Sequence, residues 1–269
     1  MPDSLRLALG TLTVLRVPPP RRVDARVARG AMLLAPVVGL LVALCGVVVL
    51  DLVRVFTGVG ASHTAVDLLG SALALTSIAL VTRGLHLDGL ADTADALGVK
   101  GDDDEVVTRR LAVMRGPEVG AFGVAAVLFT VLLQLAALTT CATEGYGTAS
   151  LLVSVVTARL AVTWACTTRV PSARPDGLGA AVAGTVPVAA AAVVTVVVLA
   201  GAAALGMLDD DRSVHAVLVL VAASVVGLLA GALVVRRCVR RLGGITGDVL
   251  GATVELTTAA VLVVVALAL

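Results

Sequence analysis

At 269 residues, with 59% hydrophobic and 14% charged positions and a mean hydropathy of +1.06, the chain does not read as an ordinary soluble domain; this is the composition of a polytopic membrane protein. The net charge of +1 says little by itself, and no nucleic-acid partner is expected; how the charges are distributed is what informs. Four cysteines (Cys45, Cys141, Cys166, Cys238) share no metal-like spacing and read as small core residues, and aromatics at 2% are too few for an interfacial belt.

Residues 4–17, SLRLALGTLTVLRV, are too short to span and carry Arg6 and Arg16, which predicts a helix at the cytoplasmic interface or tucked against the bundle. No cleavable signal peptide is apparent, because those arginines break the apolar run and Pro18-Pro19-Pro20 follows. After a basic linker with Arg21, Arg22, Arg26 and Arg29, candidate spans run at about 31–50, 65–82, 119–140, 148–166, 180–205, 213–235 and 248–269. The expected fold is all-α: a helical membrane bundle of about seven transmembrane helices, with the N-terminal interfacial helix and a helical cytoplasmic loop, forming one integral membrane domain over 1–269.

Charge placement orients the bundle. The segments before span 1 and after spans 2, 4 and 6 hold six, five, two and four basic residues, seventeen of the twenty Lys and Arg. The other side has Arg54 and Arg212, with Asp209, Asp210 and Asp211; Arg159 lies inside span 4. The positive-inside rule puts the N-terminus in the cytoplasm and the C-terminus outside, in the plasma (inner) membrane. No internal repeat of the kind that builds transporters is visible. In the loop 83–118, Asp102 to Glu105 resemble a helix start and Val107, Leu111 and Met114 an apolar stripe, with Pro117 as the stop.

The polar stretch Gly84-Leu-His-Leu-Asp-Gly-Leu-Ala-Asp-Thr-Ala-Asp-Ala-Leu-Gly98 stands out in a chain made mostly of Ala, Val and Leu. A helix there brings Asp88, Asp92 and Asp95 within roughly 60° on one face. Three like charges so close call for a divalent cation with oxygen ligands, Mg²⁺ first, unless the face is merely solvated. A second constellation, Gly243-Gly244-Ile245-Thr246-Gly247-Asp248, leads into the last span. Glycines before a helix start let backbone N–H groups approach a phosphate, although they also mark plain helix ends, and Asp248 has an alternative reading as an N-cap. Glu255 falls on nearly the same face as Asp248, about 10 Å into the membrane, where a carboxylate needs a partner: a metal, or Arg159.

Asp88, Asp92, Asp95, Asp248 and Glu255, with His86, Arg159, Arg174 and other arginines nearby, are the parts needed to move a phosphoryl group. The spacing broadly follows the strategy of membrane CDP-alcohol phosphotransferases but departs from their signature, with Leu85 and Asp88 in its two aspartate positions and Asp92 in its arginine position.

The closer resemblance is to the adenosylcobinamide-GDP ribazoletransferase (cobalamin synthase) family. It is carried by Gly84 to Asp95, by Ala173-Arg174 with Gly177-Leu178-Gly179, and by Leu242-Gly-Gly-Ile-Thr-Gly-Asp-Val-Leu-Gly-Ala-Thr-Val-Glu255. Leu12 to Pro18, and Met114-Arg115 with Gly120-Ala-Phe-Gly123, also fit. Gly116-Pro117-Glu118 departs from the polar segment the family often carries there.

The resemblance implies a membrane-bound, Mg²⁺-dependent last joining step of cobalamin assembly. In it the 5′-phosphate or 5′-hydroxyl of α-ribazole attacks the cobinamide-side phosphorus of adenosylcobinamide-GDP, and GMP leaves. On that footing Asp88, Asp92 and Asp95 are expected to bind Mg²⁺, with Asp248 and Glu255 completing or supporting the site. Arg174 holds a phosphate and His86 serves as base, if a hydroxyl attacks. Arg115, Arg159, Gly244, Thr246 and Gly247 are the expected substrate contacts, and His63 and His215 have no chemistry assigned. A corrinoid is too large to bury among small side chains, so it is expected at the cytosolic mouth, where a homo-oligomer could add a neighbouring subunit. A transporter would instead place ionisable residues at mid-membrane on several spans, where only Arg159 and Glu255 qualify. A purely structural membrane subunit would give five carboxylates no reason to sit at one end.

Overall fold

The computed structural model describes residues 1–56, 63–101, 104–208 and 213–269. Asp102 and Asp103 of the expected acidic helix start, and Asp209, Asp210, Asp211 and Arg212 of the expected outer loop, lie outside the described residues. Two short helices lead the chain, α1 (Asp3–Leu12) and α2 (Ala25–Leu33). Seven helices are long and apolar enough to cross a membrane: α3 (Ala35–Phe56), α4 (His63–Val81), α7 (Ala121–Thr143), α8 (Gly147–Ala165), α10 (Val188–Gly206), α11 (Ser213–Leu242) and α12 (Gly247–Ala268). Three more, α5 (Leu85–Gly98), α6 (Asp104–Val113) and α9 (Gly177–Val182), belong to the connections between them. No named strand occurs among the described residues.

Several ends shift from the sequence reading. The N-terminal helix stops at Leu12, not near residue 17, because Thr13 turns its hydroxyl back to the Leu9 carbonyl (2.7 Å) and Val14 N–H is taken by Val81 of α4 (2.7 Å). Ala8, Leu9 and Leu12 are buried, so α1 is tucked against the bundle. The first span begins at Ala35: α2, capped by Asp24 on Val27 N–H (2.8 Å), closes just before Pro36. The fifth span divides, because Gly184 takes a left-handed φ of 70° and Pro187 restarts the helix, leaving α9 separate from α10. In α6 the inward positions are Val106 and Arg110, each one step before the predicted Val107 and Leu111; the helix ends at Val113, ahead of Pro117, and Met114 of the predicted stripe is buried just past its end.

Arg110 is 1% exposed and donates to the carbonyls of Val99, Gly101 and Arg241, which pins the loop after α5 to the end of α11. At the opposite end, Arg54 pairs with Asp67 (2.9 Å) and donates to the Ala142 carbonyl, tying α3, α4 and α7 together. α8 and α12 are the most buried spans and α10 the least. A buried apolar cluster takes residues from α1 through α12. Cys141, Cys166 and Cys238 are buried thiols, whereas Cys45 is exposed on α3.

Candidate functional site

Arg83 (φ 56°) and Gly84 (φ 67°) form a left-handed turn that re-aims the chain between α4 and α5. α5 then crosses the first turns of α12 in backbone contact. A Cβ on Gly89 would stand 2.6 Å from the Asp248 carbonyl oxygen, and one on Gly251 would stand 3.1 Å from the His86 Cα. Small residues at both points let the two helices approach closely and bring Asp88 and Asp92 to the side of Asp248.

The result is a cavity of about 330 Å³ lined by His86 and Asp88 of α5, Arg174 and Asp176 before α9, and Thr246, Gly247 and Asp248 at the start of α12. Thr11 and Leu12 of α1 complete it. Thr246 is the N-cap of α12, accepting from Val249 N–H (3.3 Å) and donating to Asp248 Oδ2 (3.1 Å). Asp248 therefore sits inside the first turn and is not the cap. Arg174 is fixed by donation from Nη2 to the Leu111 carbonyl (2.8 Å), holds Nη1 3.9 Å from Asp248, and keeps a buried Nε with no partner among the described residues.

The electrostatics are those of crowded acids. Burial, then the charges of Asp88, Asp248 and Asp95, raise the Asp92 carboxyl from 3.8 to about 6, against the opposing pull of Arg174. His86 is 7% exposed; burial first, and the nearby Arg159 charge second, push its pKa well below 6.5, so its imidazole is neutral.

The expected site residues divide. His86, Asp88, Arg174, Thr246, Gly247 and Asp248 line the cavity, and Asp92 lies within electrostatic reach of Asp88 and Asp248. Asp95 is engaged elsewhere. Its carboxylate accepts from Gly120 N–H (2.7 Å) and Gly123 N–H (2.9 Å), capping the start of α7 from outside that helix. Glu255 lies deeper and accepts from Gln134 Nε2 (2.9 Å) of α7, with Arg159 near enough to feel its charge, so it supports the bundle interior and not the cavity wall.

Arg159 is 1% exposed, beneath the cavity, with Nε and Nη2 unpartnered among the described residues. Gly244 is not a phosphate cradle: a Cβ there would meet the backbone of Pro171 to Ala173 within 2.5 Å, in a short parallel pairing where Ala173 N–H donates to Ile245 (3.0 Å) and Ile245 N–H to Pro171 (2.9 Å). Arg115 stands at the rim, its Nη2 donating to both carboxylate oxygens of Asp176 at 2.7 and 3.0 Å, with both side chains exposed.

Sequence reasoning missed Asp176 and Gln134. A helix-start position before Gly177 flags the first, and a lone amide in an apolar span flags the second. Among the described residues, no three His, Cys, Asp or Glu side chains form a ready metal cluster. Asp92 and Asp248 nevertheless feel the guanidinium of Arg174, and with Asp88 they supply hard oxygen donors of the kind that suit a divalent cation.

The chain matches the family model described as cobalamin-5-phosphate synthase over residues 4–266. It is 46% identical to an adenosylcobinamide-GDP ribazoletransferase of Frankia casuarinae, covering 97% of this chain and 94% of that one. It is 41% identical to the Nocardioides sp. protein of the same name (97% of each chain), and 37% to that of Bradyrhizobium diazoefficiens (93% and 87%). No solved structure matches the chain.

Proposed function

The chain belongs to the cobalamin-5-phosphate synthase family, and from that premise we propose that the cavity between α5, α9 and α12 is its catalytic site. The protein is a membrane transferase that joins adenosylcobinamide-GDP with ribazole in cobalamin assembly. The new P–O bond forms at the cobinamide-side phosphorus as the bond to GMP breaks.

A product that keeps a 5-phosphate, as the family description has it, leaves neither the 5′-phosphate nor the 5′-hydroxyl of ribazole to form the new bond, so the attacking group is a different hydroxyl of its sugar. That hydroxyl must give up a proton. His86, in the cavity wall, is the side chain placed to take it; the burial and Arg159 charge that keep it neutral also lower its basicity, so the role rests on its position. Arg174, anchored at Leu111 with Nε unpartnered among the described residues, meets the charge growing on the phosphoryl oxygens, and Arg115 at the rim is held ready by Asp176. At about 330 Å³ the cavity suits a diphosphate and its neighbours, so the corrin ring stays at the mouth, where a neighbouring subunit of a homo-oligomer would flank it.

Asp88, Asp92 and Asp248 would hold Mg²⁺, which when bound neutralises the diphosphate and the leaving group. The arginine-rich end of the bundle, and the cavity with it, faces the cytoplasm in the plasma membrane.

The observation that carries the assignment is the crossing of α5 and α12, which gathers His86, Asp88 and Asp92 from one helix with Asp248 from the other. Asp88→Asn in native membranes is expected to lower GMP release from adenosylcobinamide-GDP by about 10²–10³-fold while the protein stays inserted at normal levels. Turnover close to wild type would remove this cavity from the reaction.

A further inference from the structure

Away from the catalytic cavity, α8, α10 and α11 enclose a groove of about 650 Å³ on the membrane-facing side. Its walls are apolar over most of their length, with Leu199, Val225 and Leu229 at the deep end. At the other end stand Arg169, just past α8, and Arg236 and Arg240, in the last turns of α11. All three guanidinium groups are exposed, and no ion pair to an acid occurs for any of them among the described residues.

From Val225 to Arg240 along α11 is about 22 Å at 1.5 Å per residue. Half of a bilayer, hydrocarbon and headgroup together, is about 20–22 Å. The groove thus runs from mid-membrane to the headgroup level of one leaflet, greasy where acyl chains lie and cationic where phosphates lie. A soluble anion would have no use for the apolar length, and a zwitterionic lipid would leave three positive charges half-answered.

We propose that this groove is a binding site for one anionic phospholipid, its phosphate held by Arg169, Arg236 and Arg240 and an acyl chain lying between α10 and α11. α10 is the least buried span, and Trp164 of α8 holds it by a hydrogen bond from Nε1 to Thr195 Oγ1 (2.9 Å). The lipid therefore fills a seam that the protein leaves open and secures α10 beside the catalytic end of the bundle.

Trp164 lines the groove and is the single tryptophan of the chain, so its fluorescence reports directly on the occupant. The full-length protein would be reconstituted in phosphatidylcholine vesicles holding a small fraction of phosphatidylglycerol, with one lipid or the other brominated near the glycerol end of its acyl chains. Brominated phosphatidylglycerol is expected to quench Trp164 preferentially, by about fivefold in apparent affinity for each arginine engaged. Arg169→Gln, Arg236→Gln and Arg240→Gln together are expected to abolish the preference, and Ala232→Phe, which fills the groove, to reduce quenching by both lipids.

Equal quenching of the wild-type protein by the two lipids would overturn the proposal and leave an ordinary lipid-facing surface. Shielding of Trp164 from both lipids, with a dimer's mass in detergent, would assign the groove to a second copy. Relief of the quenching by soluble glycerol phosphate would make the site one for a free anion. The wild-type comparison needs no variant, so poor folding of any substituted chain leaves the test intact.

Discussion

Asp92 is where the chemistry of the site is most exposed to measurement. Its carboxyl is raised to about 6 by burial and by the charges of Asp88, Asp248 and Asp95. A carboxyl whose folded pKa exceeds its unfolded value stabilises the fold below the unfolded pKa, near 4, and loses that contribution as the pH rises through 6. At pH 8 without divalent cation, Asp92→Asn is therefore expected to stabilise the protein by about 1 kcal/mol, after allowing for solvent screening, and to change little at pH 4. Adding Mg²⁺ at 100 times its dissociation constant is expected to stabilise the wild type by about 2.7 kcal/mol, and Asp92→Asn much less. Thermal unfolding followed at both pH values, with and without Mg²⁺, reads all four outcomes. A wild-type melting temperature indifferent to Mg²⁺ would sink the cation assignment, whatever the activity shows.

Among the helices, the decisive contact is α5 on α12. Gly89 and Gly251 have no room for a side chain, and the crossing they permit is what turns two separate acidic segments into one cavity. Gly89→Ala would push a methyl group into the Asp248 backbone, costing about 1–3 kcal/mol and moving Asp88 and Asp92 off Asp248. Turnover is expected to fall along with thermal stability. Gly201→Ala on α10, where nothing lies within 4 Å of the added carbon, is the matched control and is expected to leave turnover unchanged and stability unchanged or slightly raised. If Gly89→Ala behaves like the control, the close crossing is not what assembles the site. Asp95 belongs to this scale too: it shares a helix face with Asp88 and Asp92, yet the start of α7 reaches it first and takes its oxygens.

Across the whole molecule, seven apolar helices and a one-sided distribution of arginine define a bundle with opposite faces for its two ends. A reporter fused after Leu269 is expected to read as external, and one inserted at the exposed rim near Glu118 as cytoplasmic. A cytoplasmic C-terminus would reverse both the orientation and the placement of the catalytic cavity.

The spans, the crowding of arginine at one end, and the two acidic segments were legible in the amino-acid order, because hydropathy and charge act locally, through what each stretch meets in lipid or water. Their limits were not: Pro36 and Pro187 stood in plain view, but the Val14 contact with Val81 that helps to end α1 joins residues far apart in the chain. Nor could spacing on one helix say which carboxylate would be claimed by a neighbour. Asp95 went to α7, Glu255 to Gln134, Thr246 to its own cap, and Asp88 and Asp248 were left to share a cavity with Arg174, with Asp92 close enough to feel all three charges. A polar group takes its role from the nearest donor or charge, and in a folded bundle that neighbour comes from elsewhere in the chain.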